Sequence, residues 1–547
     1  MGKFMQRVRG LYVMTGVLLV WVTSVSQAAD SPYEAAAEID RLLNSRVLDS
    51  TDSPVGLADD ATFLRRAFLD VVGEPPTADD VLAFYLDDTS DKRRVLVNAL
   101  LADEAFGKNW ARYWRDVILY RRTEDRAVAY SRRILVDYLA KEFNSNQPWS
   151  KIATAFMTAT GDVREKGETA LIMAQSGKPE DVTAEVSRIF LGIQIQCAQC
   201  HDHPTDSWNR QQFHQLAAFF PRIAIRPDRS GEQPTFNVVV NDSPFQYRRR
   251  RQNNNRYRGT PEHHMPDLDD PSSKGVLMQP VFFVTGSKLP LGTRDAKRRG
   301  KLAEWITAPT NPWFSKAYVN RIWSELVGEG FYEPIDDLGP DRECSSPETL
   351  DYLAKGFTEN GYNIKWLYRT IMATDAYQRK SLSRRDYDQP PFLANCPQRL
   401  RGDQLYDSLV SALDLDIRTP QRGRGQGSYR GRRDPRALFN ESFGYDPSDP
   451  RVDIGGSIQQ ALMIMNGPFI AQGINARRSK GLGALLRANP DDKDVLFELY
   501  LKVLARGPTA TEKGTCLAYI RRVGNRNEAF EDITWALINS TEFIHRN

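Results

Sequence analysis

Residues 183–195 read TAEVSRIFLGIQI, and residues 196–204 continue as QCAQCHDHP. The first stretch predicts a helix from Thr183 to about Ile195 that runs directly into the pair Cys197 and Cys200. The pattern around it is helical from residue 33 to 222. Leu64, Ala67, Phe68 and Val71 recur at helical spacing until Gly73 and Pro75-Pro76 stop them. Thr77 with Asp80 reads as a capping box for the next helix. A further helix carries Trp110, Tyr113, Trp114, Val117 and Tyr120, whose rings read as core rather than as cofactor contacts.

Downstream, residues 223–290 change character. The runs Phe236 to Val240 and Val281 to Val284 read as short strands. Arg248 to Arg251, Asn253 to Asn255, Arg256 and Arg258 between them read as a flexible, solvated insertion. Helical patterning then resumes over 291–547. Asn311-Pro312 opens a helix that Gly328 and Gly330 close, Ile364 to Met372 forms another, and Thr509 with Glu512 caps one near the end. The expected fold is mainly α: two helical domains, with a small β element and an Arg/Asn-rich insertion between them.

Residues 1–29 read as a signal peptide. Lys3, Arg7 and Arg9 precede an apolar run from Leu11 to Val25, and Ser26-Gln27-Ala28 offers a cleavage site. The run is shorter than the roughly 20 residues that span a bilayer, so no membrane span is expected after cleavage, and the mature chain is expected to be secreted or periplasmic. The 547 residues carry 73 Lys and Arg against 70 Asp and Glu, a formal charge of +3, so the whole molecule does not announce a nucleic-acid binder. Five cysteines in this length exclude a disulfide-stapled scaffold.

Two of the five cysteines and two of the six histidines fall within Cys197-Ala198-Gln199-Cys200-His201-Asp202-His203. Cys-x-x-Cys-His is the attachment pattern of c-type haem: two thiols one turn apart reach two vinyl groups, and the adjoining histidine ligates the iron. Three other readings fit the same residues: a local disulfide, a zinc or iron site from Cys197, Cys200, His201 and His203, and a thioredoxin-like redox pair. His214, Met157 and Met173 are candidates for a sixth iron ligand, and an open sixth position is equally compatible. His263, His264 and His545 read as solvated surface residues.

The stretch Ile195 to Pro204, with Trp208, Leu216 to Phe220 and the earlier Leu64-Arg65-Arg66 and Pro75-Pro76-Thr77, resembles the planctomycete cytochrome-type domain family. These are secreted proteins in which a PSCyt-type domain is followed by a PSD-type domain, both of unknown function. Asn311-Pro312, Asn320 to Trp323, Asp336 to Gly339, Ser346-Pro347-Glu348 and Met465 to Pro468 resemble the second. The resemblance implies Cys197 and Cys200 as thioether positions for one haem c and His201 as its proximal ligand. The haem reading of these residues carries the expectation of electron transfer with an unidentified redox partner.

The remaining features are weaker. Arg248 to Arg251 and the Gly/Arg-rich Arg422 to Arg433 could bind an anionic extracellular polymer, and secretion argues against nucleic acid. Asp336-Asp337 and Asp267 with Asp269-Asp270 read as surface turns and caps. No nucleophile elbow, phosphate loop or His-Glu-x-x-His supplies a catalytic constellation. If the Cys/His cluster is a metal site or a disulfide, the protein is instead a structural or polymer-binding one. Cys344, Cys396 and Cys516 show no readable pairing.

Overall fold

The computed structural model describes residues 30–48, 54–123, 125–231, 234–242, 257–382, 390–415, 435–450 and 454–547. The expected signal peptide and both arginine-rich runs, apart from Arg258, lie outside the described residues.

The chain is mainly α, with small antiparallel sheets. Helix α1, Asp60–Val71, starts where the Asp59 carboxylate accepts the Thr62 N–H, and Thr77 and Asp80 form the expected capping box on the helix after it. Helix α2, Glu104–Leu119, turns Trp110, Tyr113, Trp114 and Val117 inward. Trp114 packs 4.5 Å from Trp149 of α3, Trp149–Thr158, and stacks on Tyr318 at 5.6 Å and 6°. Trp110, Tyr113 and Trp114 are core, as their spacing implies, and each such ring contributes about 2–3 kcal/mol on burial. Tyr120, just past the end of α2, is exposed instead of packed.

Helix α4 spans Pro179–Leu191 instead of Thr183 to Ile195. Proline at its first position fits a start that needs no N–H, and Gly192 at φ 69° ends it in the left-handed region. A short 3-10 helix, Ile195–Gln199, follows, and then α5, Arg210–Ala217.

The β region lies between the helical blocks. Strand β1, Gly161–Asp162, and β2, Ile223–Asp228, flank β3, Thr235–Val240, which pairs Val240 with Ile223. β4, His263–Met265, pairs with β5, Val276–Met278, and β6, Val281–Phe282, pairs with β7, Ser287–Lys288.

In the second block, α6, Pro312–Val327, begins at Asn311 and stops at Gly328 as anticipated. It packs against α7, Pro347–Glu359, and α8, Ile364–Ala373. Tyr318 of α6 lies between Trp114 and Phe357. One hydrophobic core therefore draws on both blocks, from Ala35 to Phe392 and on to Leu501. A second cluster unites α9, Gly402–Leu413, α10, Pro435–Ser442, and α11, Asp492–Leu504, and it also takes in Leu69 of α1.

Buried arginines stitch distant segments. Arg66 of α1 donates to the carbonyls of Arg379 and Asn547 at 2.9 Å each. Strand β8, Gln398–Arg399, pairs with β9, His545–Arg546, and Arg546 Nε donates to both Asp70 oxygens at 2.8 and 2.9 Å. Its Nη1 reaches Asn395 Oδ1 at 2.9 Å and its Nη2 the Leu326 carbonyl.

Candidate functional site

The Cys-x-x-Cys-His segment is a tight turn rather than the tail of a helix. A 3-10 helix has three residues per turn, so positions i and i+3 share a face. Ile195 and Ala198 share the buried face. Cys197 in that helix and Cys200 just past its end fall on another face, where both thiols are exposed and unbonded. Cys344, Cys396 and Cys516 are also free thiols.

His201 is exposed, and its Nδ1 lies 2.7 Å from the Asp202 carbonyl oxygen. A carbonyl oxygen can only accept, so Nδ1 carries the proton and Nε2 keeps its lone pair. His203 turns into its own loop: its N–H donates to the Trp208 carbonyl at 2.7 Å and its Nδ1 accepts the Thr205 N–H at 3.4 Å. Among the described residues, no group of three or more His, Cys, Asp or Glu is placed to hold a metal ion.

The turn is held from beneath by α5. Asn209 and Gln212 cap that helix reciprocally, and Asp202 accepts the Arg210 N–H at 2.9 Å. The Gln199 carbonyl accepts from Arg210 Nε at 3.3 Å and from His214 Nε2 at 3.0 Å. With Nε2 donating, the neutral His214 ring presents an unprotonated Nδ1, and His263 Nε2 donates to it across 2.9 Å. The two rings stack at 5.2 Å and 19°. Burial pushes His214 down to about 4; burial, with His214 and His264 beside it, pushes His263 down to about 3. His263 Nδ1 lies 3.9 Å from Glu180 of α4.

These positions revise the histidine expectations. His263 is buried at 4% exposure, not solvated, while His264 and His545 are half-buried. Both ring nitrogens of His214 are already engaged, and Met157 and Met173 lie within the main core.

The second block closes the site from above. Leu338 N–H donates to the Gly192 carbonyl at 2.8 Å. Arg342 Nη2 donates to Thr205 Oγ1 at 2.9 Å and pairs with Asp337 at 3.0 Å. Gly339 leaves room for the Asp206 carboxylate, which a Cβ there would meet at 1.8 Å.

Behind α4 lies a buried charge network. Arg188 binds Glu185 at 2.6 Å, Asp336 at 2.8 Å, Ser448 Oγ at 2.8 Å and the Val117 carbonyl at 2.6 Å. Arg321 joins the same Asp336, the Tyr113 hydroxyl and the Pro447 carbonyl. Burial pushes Asp336 up, but Arg321 and Arg188 outweigh it and hold its carboxyl below the usual carboxylate range. Asp336 is thus a buried counter-ion, not the surface turn its sequence suggests, whereas Asp267 and Asp270 do accept local turn N–H groups. Nothing in the local pattern of Asp336-Asp337 distinguishes the two carboxylates.

Residues 38–224 match the family model PSCyt2, described as a protein of unknown function (DUF1549), and residues 298–430 match PSD1, described likewise (DUF1553). The chain carries both regions in the order its motifs imply. The Cys-x-x-Cys-His turn falls in the first and the Asp336 to Arg342 segment in the second. No curated protein and no solved structure matches the chain.

Proposed function

We propose that this chain, a PSCyt2-type region followed by a PSD1-type region, is an extracytoplasmic c-type haem protein that exchanges electrons with a redox partner. The observation that carries the reading is the turn itself: two exposed thiols on one face, beside a histidine whose Nε2 lone pair is available. The fit rests on this chain's own groups. Cys197 and Cys200 would each add a thiol across a vinyl group, sulfur bonding one carbon and the proton going to the other. His201 Nε2 would be the nitrogen that ligates the iron. Bound there, the haem supplies one-electron exchange at the protein surface.

The surrounding residues position that ligand set. Asp202 keeps the His201 proton on Nδ1 through its carbonyl, as ligating histidines require. Ile195 and Ala198 anchor the turn, and His214 with Arg210 fixes the Gln199 carbonyl between the two cysteines. The extracytoplasmic location is supported by the signal-like residues 1–29, because haem c is attached outside the cytoplasm.

Expression of the full chain with a haem c maturation system tests this. Red protein with a Soret band and an acid-stable pyridine haemochrome, at one haem per chain, is the expected result. Cys197→Ala with Cys200→Ala should abolish covalent haem, whereas His201→Ala should keep attachment but shift the spectrum. A folded, colourless wild-type protein overturns the proposal, and metal analysis of that sample then tests zinc or iron.

A further inference from the structure

Away from the haem turn, a cleft of about 640 Å³ opens between the C-terminal end of α2, Arg132, and helices α9 and α10. A second hollow of about 280 Å³ shares Tyr120, Phe443, Gly444 and Tyr445 with it, so the two form one elongated groove. The larger volume lies within the roughly 300–1,000 Å³ of sites that take small organic ligands. The groove joins a wall from the PSCyt2-type region to a wall from the second block.

Its chemistry is specific. Arg115, Arg122, Arg132, Arg401 and Arg436 line the large hollow against three carboxylates, Asp116, Asp403 and Glu441. Several of these groups are fixed by one another. Arg115 grips Asp116 through two bonds of 2.8 Å, and the buried Arg401 holds the buried Asp403 at 3.1 Å. Arg436 is tied to Asp407 and lies over the Tyr406 ring at 4.8 Å. The walls are therefore set before any ligand arrives, which lowers the entropy cost of binding. Five arginines face three carboxylates in the large hollow, so that end favours negative charge, while the smaller hollow sets Arg399 against Asp446 and Asp449. Carboxylates interleave with the arginines, however, and a carboxylate can only accept, so the same ligand must also donate hydrogen bonds. Tyr120, 46% exposed, and the half-buried Tyr445 stand where the two hollows meet and offer ring faces.

We propose that this groove binds an acidic oligosaccharide: a short polyhydroxylated chain bearing carboxylate or sulfate groups, with its acid group among the arginines and its sugar faces against Tyr120 and Tyr445. The site is separate from Cys197 to His203, and the proposal does not depend on the haem reading.

Calorimetric titration of the full chain with a heparin tetrasaccharide, tri-galacturonate, neutral maltotriose and a tetraglutamate peptide tests it. One-to-one binding of at least one acidic saccharide, weakened by salt and absent for maltotriose, is expected. The two acidic arms tell sulfate from carboxylate. Arg122→Gln and Arg132→Gln should each weaken binding about fivefold or more, as loss of a charge-assisted contact does. Tyr120→Ala should weaken it with an unchanged thermal midpoint, which separates a ligand contact from a folding defect. Arg521→Gln, on the helix Ala510–Val523 that lines neither hollow, should leave binding intact. Equal affinity for maltotriose or tetraglutamate, no binding of either acidic saccharide at millimolar concentration, or wild-type affinity in the Arg122→Gln/Arg132→Gln double variant overturns the proposal.

Discussion

At the scale of single residues, the molecule buries charge that the sequence reads as surface turn. Asp336 is the carboxylate that Arg188 and Arg321 share behind α4. Asp336→Asn removes the carboxylate that two buried guanidinium groups share, leaving Arg188 with Glu185, and the expected loss is about 3–5 kcal/mol in urea unfolding. An unchanged midpoint would show that the network carries no net stability. The His214–His263 pair behaves oppositely, because burial keeps both rings neutral. Unfolded histidine titrates near 6.5 and the folded pair lower, so the unfolded chain takes up protons first. The pair's contribution is complete above about pH 6.5 and is lost as pH falls toward 4 and then 3. Stability should fall across that window by roughly 1.4 kcal/mol per pH unit for each proton, and His263→Gln should flatten the slope. Unfolding curves collected at several pH values would measure it, and an unaltered slope in the variant would assign the effect elsewhere.

At the scale of elements, the caps were legible and the joint beside the site was not. Thr77 with Asp80, Thr509 with Glu512, and Asn311-Pro312 each act through hydrogen bonds within a few residues, and each forms as its spacing implies. The end of α4 misleads because Val186, Ile189, Phe190 and Ile193 continue a helical rhythm past Gly192. Gly192 ends the helix by turning left-handed, the Leu338 N–H takes its carbonyl, and a Cβ placed there would meet Leu338 and Ala317 at 3.0 and 3.1 Å. Gly192→Ala combines a left-handed φ with that contact and should cost about 1–2 kcal/mol. If the turn takes haem as proposed, the variant should also lower the yield of haem-loaded protein, since the turn that presents Cys197 begins there. A variant with wild-type stability and loading would show that the joint tolerates a side chain.

At the scale of the molecule, composition marks boundaries that the packing crosses. The change of character at residues 223–290 is real, yet Trp114 and Trp149 from the first block share a core with Tyr318 and Phe357 from the second. That sharing was invisible in the sequence, because an apolar face does not say which partner covers it. His263 was misread for the same reason: it stands beyond an arginine-rich run but pairs with His214 in space. A fragment of residues 30–242 would expose the faces of α2 and α3 and leave Arg188 without Asp336. It should keep far-UV helicity, lose near-UV dichroism and bind a hydrophobic dye. Sharp near-UV bands from the fragment would show that the first block stands alone.

The ion pair between Asp70 and Arg546 joins positions 476 apart along the chain. It therefore has a consequence in time. As the protein is made, Asp70 emerges early and its partner very late, and a buried carboxylate without its cation costs several kcal/mol. Helix α1 and the Tyr377 hydroxyl that shares Asp70 cannot reach their final places until the segment around residue 546 arrives. Folding is in this sense postponed: a ribosome or channel still gripping residues near 546 leaves Asp70 of α1 without its Arg546 partner.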